Sequence, residues 1–347
     1  MGRVGIRELA AEVGLSVSTV SRAMNARGDV SPATVDVVRA AAERLGYRPN
    51  QSGRTLRRGA TGTVALVIQT NTARTQMGET FYFNLSMGLQ PALAAQSLDL
   101  VLLPVGPAQD PFDFLVSVVD RHIADAYVIT NVARIDPRVD LLAEREVPFV
   151  ALGRGGSAVA HSWFDLDFDT VARESVARLT AAGHTRIAMA ADNSNVNSTK
   201  EYERGFRSAL DERGVHPHSE IRVPDTPQGG TLLAERLLEM PEAPTAVMLA
   251  QETLALGLYR RLEEAGVRPG RDLAVIGFRK NPVCEFLTPA LTSFEVSLPA
   301  YGRRLGEIVL DRLAATGEPV GEIWPMSIAP GDSDAAPPRV RDRLIPG

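Results

Sequence analysis

Ser16, Val17, Ser18, Thr19, Ser21 and Arg22 lie close together near the start of the chain, and as a set they offer hydroxyls, one apolar side chain and a guanidinium. An arginine guanidinium is a planar fork able to donate to the O6 and N7 acceptors of one guanine, whereas a valine offers apolar contact and a serine an ambiguous hydroxyl. Other chemistry-bearing types fall into no working pattern. Gly153, Arg154, Gly155 and Gly156 follow an apolar run but lack the spacing of a phosphate-binding loop ending in Lys-Ser or Lys-Thr, so they read as the loop after a strand. His216 and His218 flank Pro217 without a carboxylate or cysteine at metal-ligand spacing. Cys284 stands alone, which excludes an intrachain disulfide and a cysteine-based zinc site. Serine, histidine and aspartate are present without a Gly-x-Ser-x-Gly elbow. No enzyme, metal or cofactor is expected.

The elements that would position the first set are helical. Ile6, Leu9, Ala10 and Val13 fall on one stripe, with Gly14 where a helix commonly stops. Ser16 caps a second helix to about Asn25, with Val20 and Met24 inward and Val17, Ser18, Ser21 and Arg22 outward. Ser31 and Pro32 open a third, striped by Val35, Val38, Ala42 and Leu45 and ending before Gly46. Two short helices joined by a tight turn match a helix-turn-helix, with an ordinary small bundle as the alternative that spacing alone leaves open. The net charge of the 347 residues is −5, yet residues 1–60 hold ten Arg against five acidic residues, +5, leaving −10 on the remainder. A basic head on an acidic body points to a polyanion partner for the head.

The strings IRELAAEVGLSVSTVSRAMN at 6–25, VSPAT at 30–34 and LGYRPN at 45–50 resemble the DNA-binding head of the lactose-repressor family of bacterial transcription regulators. That resemblance implies that Val17, Ser18 and Arg22 touch base edges, while Ser16, Thr19, Ser21 and Asn25 lie at or near phosphates. Gly5 departs from the family, which usually places a capping Thr there; glycine caps tolerably but gives no side-chain phosphate contact. Residues 49–60 resemble the family's hinge helix, which orders on operator DNA. Leu56 matches its minor-groove wedge, and Asn50, Arg54 and Arg57 join the DNA-binding set, with Arg58 beside them.

From Thr63 onward, apolar runs at 64, 99, 126, 148, 186, 245 and 273 read as buried parallel strands, and amphipathic stretches at about 84–97, 170–182, 200–213 and 252–265 read as helices between them. This is the alternation of a doubly wound α/β fold. With GHTRIA at 183–188, VIGF at 275–278 and PALTS at 289–293, the body resembles the two-lobed periplasmic binding-protein fold of the same family, with ligand in the cleft. The expected fold is thus an all-α helix-turn-helix head plus an α/β sensor of two doubly wound parallel-sheet lobes. Its expected divisions are 1–48 for the head, 49–60 for the hinge and 61–330 for the sensor. Lobe 1 takes about 61–162 and 293–323, lobe 2 about 163–291 and 324–330, and 331–347 reads as a disordered tail rich in Pro and Arg.

Thr70, Tyr82, Arg154, Tyr202, Gln251 and Arg279 are the expected effector contacts. Several depart from the family: Tyr202 stands where an Arg is usual, Gln251 and Glu252 replace Asn-Asp, and Arg279 replaces an Asp after Gly-Phe. One reading makes the effector an anion, such as a sugar acid or phosphorylated sugar, held by Arg279 with Arg154 nearby. A second has Arg279 pair with Glu252 and only shape the cleft; a third is a sensor that no longer responds. A transport-type sugar-binding protein would need a secretion signal, but MGRVGIRELAAEVG carries charges where one needs an unbroken apolar stretch, so a cytoplasmic location without membrane contact is expected. One reading helix covers too few bases for genomic specificity, so a homodimer on a palindromic site in double-stranded DNA is expected, with a small-molecule effector as second partner.

Overall fold

The computed structural model describes residues 4–24, 30–47, 60–70 and 80–337. Its contacts divide the chain into two compact units, Met1–Gly62 and Thr63–Gly347. The first holds α1 (Ile6–Glu12), α2 (Val17–Met24) and α3 (Pro32–Leu45). The expected caps form. Ser16 Oγ accepts from the Thr19 N–H at 3.0 Å, and Ser31 Oγ accepts from the Thr34 N–H at 3.2 Å. Gly46 ends α3 with φ +65°, a conformation that favours glycine. Leu9, Val20, Ala23, Val38 and Ala42 close a small core between the three helices, with Val35 and Leu45 packed at its edge.

In the second unit, β1 (Thr63–Gln69), β2 (Asp99–Val105), β3 (Ala126–Thr130), β4 (Phe149–Leu152), β5 (Ser162–Leu166) and β11 (Gly321–Trp324) form one sheet in the order β11-β5-β4-β3-β1-β2. A second sheet joins β6 (Ile187–Ala191), β7 (Ser219–Arg222), β8 (Ala246–Leu249), β9 (Ala274–Arg279), β10 (Thr292–Glu295) and β12 (Ser327–Ala329) in the order β12-β10-β9-β8-β6-β7. Pairing is parallel except between β10 and β12. The central strands β3, β4, β6, β8 and β9 are buried along their whole length, which is why they read as unbroken apolar runs. Covering the sheets are α4 (Phe81–Ala94), α5 (Pro111–Asp120), α6 (Pro137–Glu144), α7 (Phe168–Ala181), α8 (Asn197–Asp211), α9 (Pro227–Glu239), α10 (Leu254–Glu264) and α11 (Leu298–Leu313). Helices α4 and α11 touch backbone to backbone: a Cβ on Gly88 would lie 1.8 Å from Pro299 O, and one on Gly302 2.0 Å from Leu85 O.

Two expectations about boundaries are corrected. The lobe crossings fall after 166 and 295 rather than near 162 and 291, because β5 pairs with β4 and β10 with β9; the third lies at 324 as read. The segment read as a tail from 331 is packed as far as the description runs, to 337. Ser333 Oγ donates to Val275 O at 2.6 Å and accepts from the Thr292 N–H at 2.8 Å, Thr292 Oγ1 bonds Asp334 at 2.7 Å, and Arg178 pairs with Asp334. These bonds tie the segment to the starts of β9 and β10 within the second sheet. Asn25, Asn50, Arg54, Leu56, Arg57, most of the hinge and residues 338–347 lie outside the described residues.

Candidate functional site: a base-reading helix and an interlobe cavity

On α2 the structure separates the two faces as the spacing requires. Val20 and Ala23 are fully buried, while Ser16, Val17, Ser18 and Arg22 are exposed and Thr19 and Ser21 half-buried. Val17 is 41% exposed, an apolar side chain held at the surface of a helix whose other apolar residues turn inward. Ser16 and Thr19 hydroxyls lie 2.8 Å apart and, with the cap bond, fix the first turn. At Gly5 the backbone N–H donates to Glu8 Oε2 at 3.0 Å, half of a capping box, with no side chain to return the bond.

In the second unit a cavity of about 120 Å³ lies between the lobes. Gln69, Asn131, Gly153, Gln251 and Arg279 reach it from the carboxyl ends of strands or within two residues beyond them, and Phe81, Tyr82, Phe168 and Ser198 from helix starts. Open α/β sheets place ligands at this end. Its walls are aromatic: Phe81, Tyr82 and Tyr301 on one lobe, and Phe168 stacked on Phe278 at 4.5 Å and 3° on the other. Its polar groups are mostly neutral, Gln69, Asn131, Ser198 and Gln251, joined by Asp165 and Arg279.

The charged groups are held by other protein groups. Arg279 Nη2 donates to Glu252 Oε1 at 2.8 Å, with side chains 9% and 2% exposed, and its guanidinium lies 5.3 Å above the Phe81 ring. Asn281 Nδ2 donates to the same Glu252 oxygen at 3.3 Å. Arg154 stands outside the cavity lining, paired with Glu201 of the opposite lobe at 2.7 Å and with Asp165 at 3.7 Å. Burial pushes the Asp165 carboxyl up to about 7; the Arg154 N–H and charge oppose that rise, and Glu201 adds to it. Burial also pushes the Cys284 thiol up to about 12, which leaves it protonated and unreactive.

Two further contacts tie the lobes: the Asn197 N–H donates to Val132 O at 2.8 Å and Asn197 Nδ2 to Arg154 O at 3.0 Å. Asn131, at φ +52°, is set by a buried clamp. Arg138 grips Asp136 through two bonds of 2.9 and 2.7 Å, holds Asp136 below the usual carboxylate range against its burial, and donates to the Thr130 and Asn131 carbonyls.

Of the six expected effector residues, Tyr82, Gln251 and Arg279 line the cavity. Thr70 does not, since its hydroxyl donates to Val105 O at 2.6 Å. Tyr202 is buried behind the wall, edge-on to Phe278 at 5.8 Å, so it supports the aromatic wall instead of facing the cavity. Sequence reasoning missed Phe81, Asn131, Asp165, Phe168, Phe278 and Tyr301. Asn131 and Phe278 lie at strand ends that were legible; Asp165 lies on β5, which was not. Among the described residues no group of three or more His, Cys, Asp or Glu could hold a metal ion, and no helix is long and apolar enough to cross a membrane.

Comparison with known proteins places both units. Residues 5–50 match the family described as bacterial regulatory proteins, lacI family, and residues 176–333 match a periplasmic binding protein-like domain. The HTH-type transcriptional regulator CelR of Thermobifida fusca is 31% identical over 323 residues, covering 92% of this chain and 94% of that protein. RafR of Escherichia coli, also an HTH-type transcriptional regulator, is 28% identical over 96% of this chain and 99% of its own. Among solved structures, a CelR–cellobiose complex aligns over 95% of this chain and 100% of that one at TM-score 0.72 and 29% identity. The lac repressor dimer bound to operator and the anti-inducer ONPF, 20% identical, shares the fold at TM-score 0.83 over 96% of this chain and 100% of that one. With a capped helix in its first unit that exposes a polar face and a cavity between two α/β lobes in its second, the chain belongs to the lacI family and is a DNA-binding transcriptional regulator.

Proposed function

We propose that this regulator binds a palindromic operator as a homodimer and that a neutral, hydroxyl-rich sugar in the interlobe cavity sets its affinity for that operator. The observation that carries the effector reading is the cavity's chemistry. Aromatic faces from both lobes surround neutral amides and a hydroxyl, a lining suited to the apolar face and the hydroxyl edge of a sugar ring. The anionic reading needs two cations facing the cleft, and both Arg279 and Arg154 are held by carboxylates. Solved relatives include a CelR–cellobiose complex and a lacI-family regulator with bound ribose, which supports a sugar here as well.

In the head, Arg22 is proposed to read a guanine edge, Val17 and Ser18 to lie against neighbouring bases, and Ser16, Thr19 and Ser21 to meet phosphates; their placement on one side of α2 supports this. For the dimer, Phe83 and Met87, one turn apart on α4 and 65% and 58% exposed, offer an apolar stripe that a second copy would cover. Calorimetry with cellobiose, ribose and glucuronate tests the effector reading. Binding of a neutral sugar and weaker binding of glucuronate is the expected outcome; preference for the acid would overturn it.

A further inference from the structure

Asp165 is an unusual group for the lining of such a cavity. Its side chain is buried, and two backbone N–H groups donate to it, Leu166 at 3.0 Å and Arg154 at 3.2 Å, while the Arg154 Nε stands off at 3.7 Å. A carboxylate has about four acceptor positions, and burying its charge is costly while they are incompletely filled. The charged and titratable groups around it are Arg154 of its own lobe, Glu201 from α8 of the other lobe, and Tyr82, Tyr301 and Arg279 around the cavity. Arg154 is shared with Glu201, and Arg204 lies beyond at 2.7 Å from Glu201.

We propose that Asp165 makes closure of the cleft conditional on a ligand hydroxyl: closing the lobes buries its carboxylate short of donors, and a hydroxyl-bearing ligand supplies the missing hydrogen bond. This rests on the neutral-sugar reading of the cavity. Separating the lobes would return water to Asp165 and take Glu201 away, and both changes favour the charged carboxylate. Between the ordinary carboxylate range and about 7, the value burial gives Asp165 here, a closed cleft without ligand takes up a proton, so closure becomes harder as pH rises through that window and levels off above it. A hydroxyl donating to the carboxylate reverses this by favouring the charged form. Asp165 would thus act twice, as a hydroxyl-selecting contact and as the group that holds the lobes apart until that contact is made.

The Asn197 backbone amide reads the lobe contact directly. It belongs to the first turn of α8, where N–H groups have no partner within the helix, and it donates to Val132 O of the opposite lobe. Hydrogen exchange at this amide, corrected for its intrinsic rate, is measured in the full chain from pH 4 to 8.5, with and without cellobiose. Without sugar, wild type is expected to lose protection as pH rises from about 4 to about 7 and to level off above, whereas Asp165→Asn keeps it, with a gap of about tenfold or more at pH 8.5 that narrows toward pH 4. Saturating cellobiose should restore wild-type protection at high pH. The same pH profile in wild type and Asp165→Asn, or lower protection in the variant, overturns the proposal. If the ligand-free profiles differ as expected and none of cellobiose, ribose or glucuronate adds protection, the carboxylate gate stands and the sugar reading falls. Melting curves of both proteins at pH 5.5 identify a variant that fails to fold, in which case Asp165→Ser, also neutral, is expected to give the high-pH protection.

Discussion

Replacing Glu252 by Ala should be among the most damaging single changes in the sensor that leave its aromatic wall untouched. In the native chain the Arg279 guanidinium, 9% exposed, meets Glu252 at 2.8 Å, and the carboxylate is 2% exposed. Breaking a buried pair from one side costs about 3–5 kcal/mol, because the remaining charge keeps its desolvation without its partner. Two features place this case near the lower end. Arg279 keeps its position over the Phe81 ring at 5.3 Å, and it borders a cavity that water can enter. A loss of about 3 kcal/mol in a domain of this size corresponds to roughly 5–10 °C in melting temperature. Urea and thermal denaturation of wild type, Glu252→Ala and the pair Glu252→Leu with Arg279→Met would measure it. The double variant removes both charges and should recover most of the loss. If Glu252→Ala costs under about 1 kcal/mol, or the double variant is as unstable as the single, Arg279 is not held by Glu252 and the case against an anionic effector weakens.

Arg22→Ala should cost roughly 1–3 kcal/mol on the preferred operator and relax one base position; binding to a panel of single-base variants reads this, and unchanged discrimination refutes the contact. Ser16→Ala removes the cap of α2 and should lower the head's stability by about 1 kcal/mol, seen as earlier loss of helical signal in urea. Gly302→Ala drives a Cβ to within 2.0 Å of Leu85 O, so α4 and α11 must separate, with a loss of roughly 2 kcal/mol or more; wild-type melting would show the helices slide freely. His184 is buried between Thr245 Oγ1 and Ala335 O, both at 2.9 Å, and burial lowers its pKa. Its stabilisation is therefore present above the ordinary imidazole range and lost as pH falls through the lowered value, so His184→Gln should flatten the acid limb of a stability–pH profile.

The buried central strands were legible because parallel strands covered on both faces leave long apolar runs. Strands β5, β7, β10, β11 and β12 were not, since they are short and carry residues such as Glu220, Arg222 and Glu322 within them. Helices α5, α6, α9 and α11 escaped the periodicity search although each announces itself: Asp110, Asp136, Thr226 and Ser297 cap them with Pro in the first turn. The exposed face of α2 was legible in the sequence, because a short amphipathic helix leaves few choices of side. The cavity was half legible. Strand ends pointed to Gln251 and Arg279, but Phe81, Phe168 and Tyr301 come from helices whose facing depends on how two lobes meet. Local sequence does not encode that. Tyr202 shows the converse, a position matched by register whose side chain packs into the wall.

The proposed regulation requires one coupling, between sugar binding in the cavity and operator binding by the head. The direct measurement selects duplexes from a random library with the full-length protein, then titrates the winning site by fluorescence anisotropy with and without cellobiose, ribose and glucuronate. The expected result is a palindromic site bound about a thousandfold more tightly than random duplex, with an affinity that one neutral sugar changes about tenfold. Selection of no site above random sequence, or an operator affinity moved by the acid and by no neutral sugar, would contradict it.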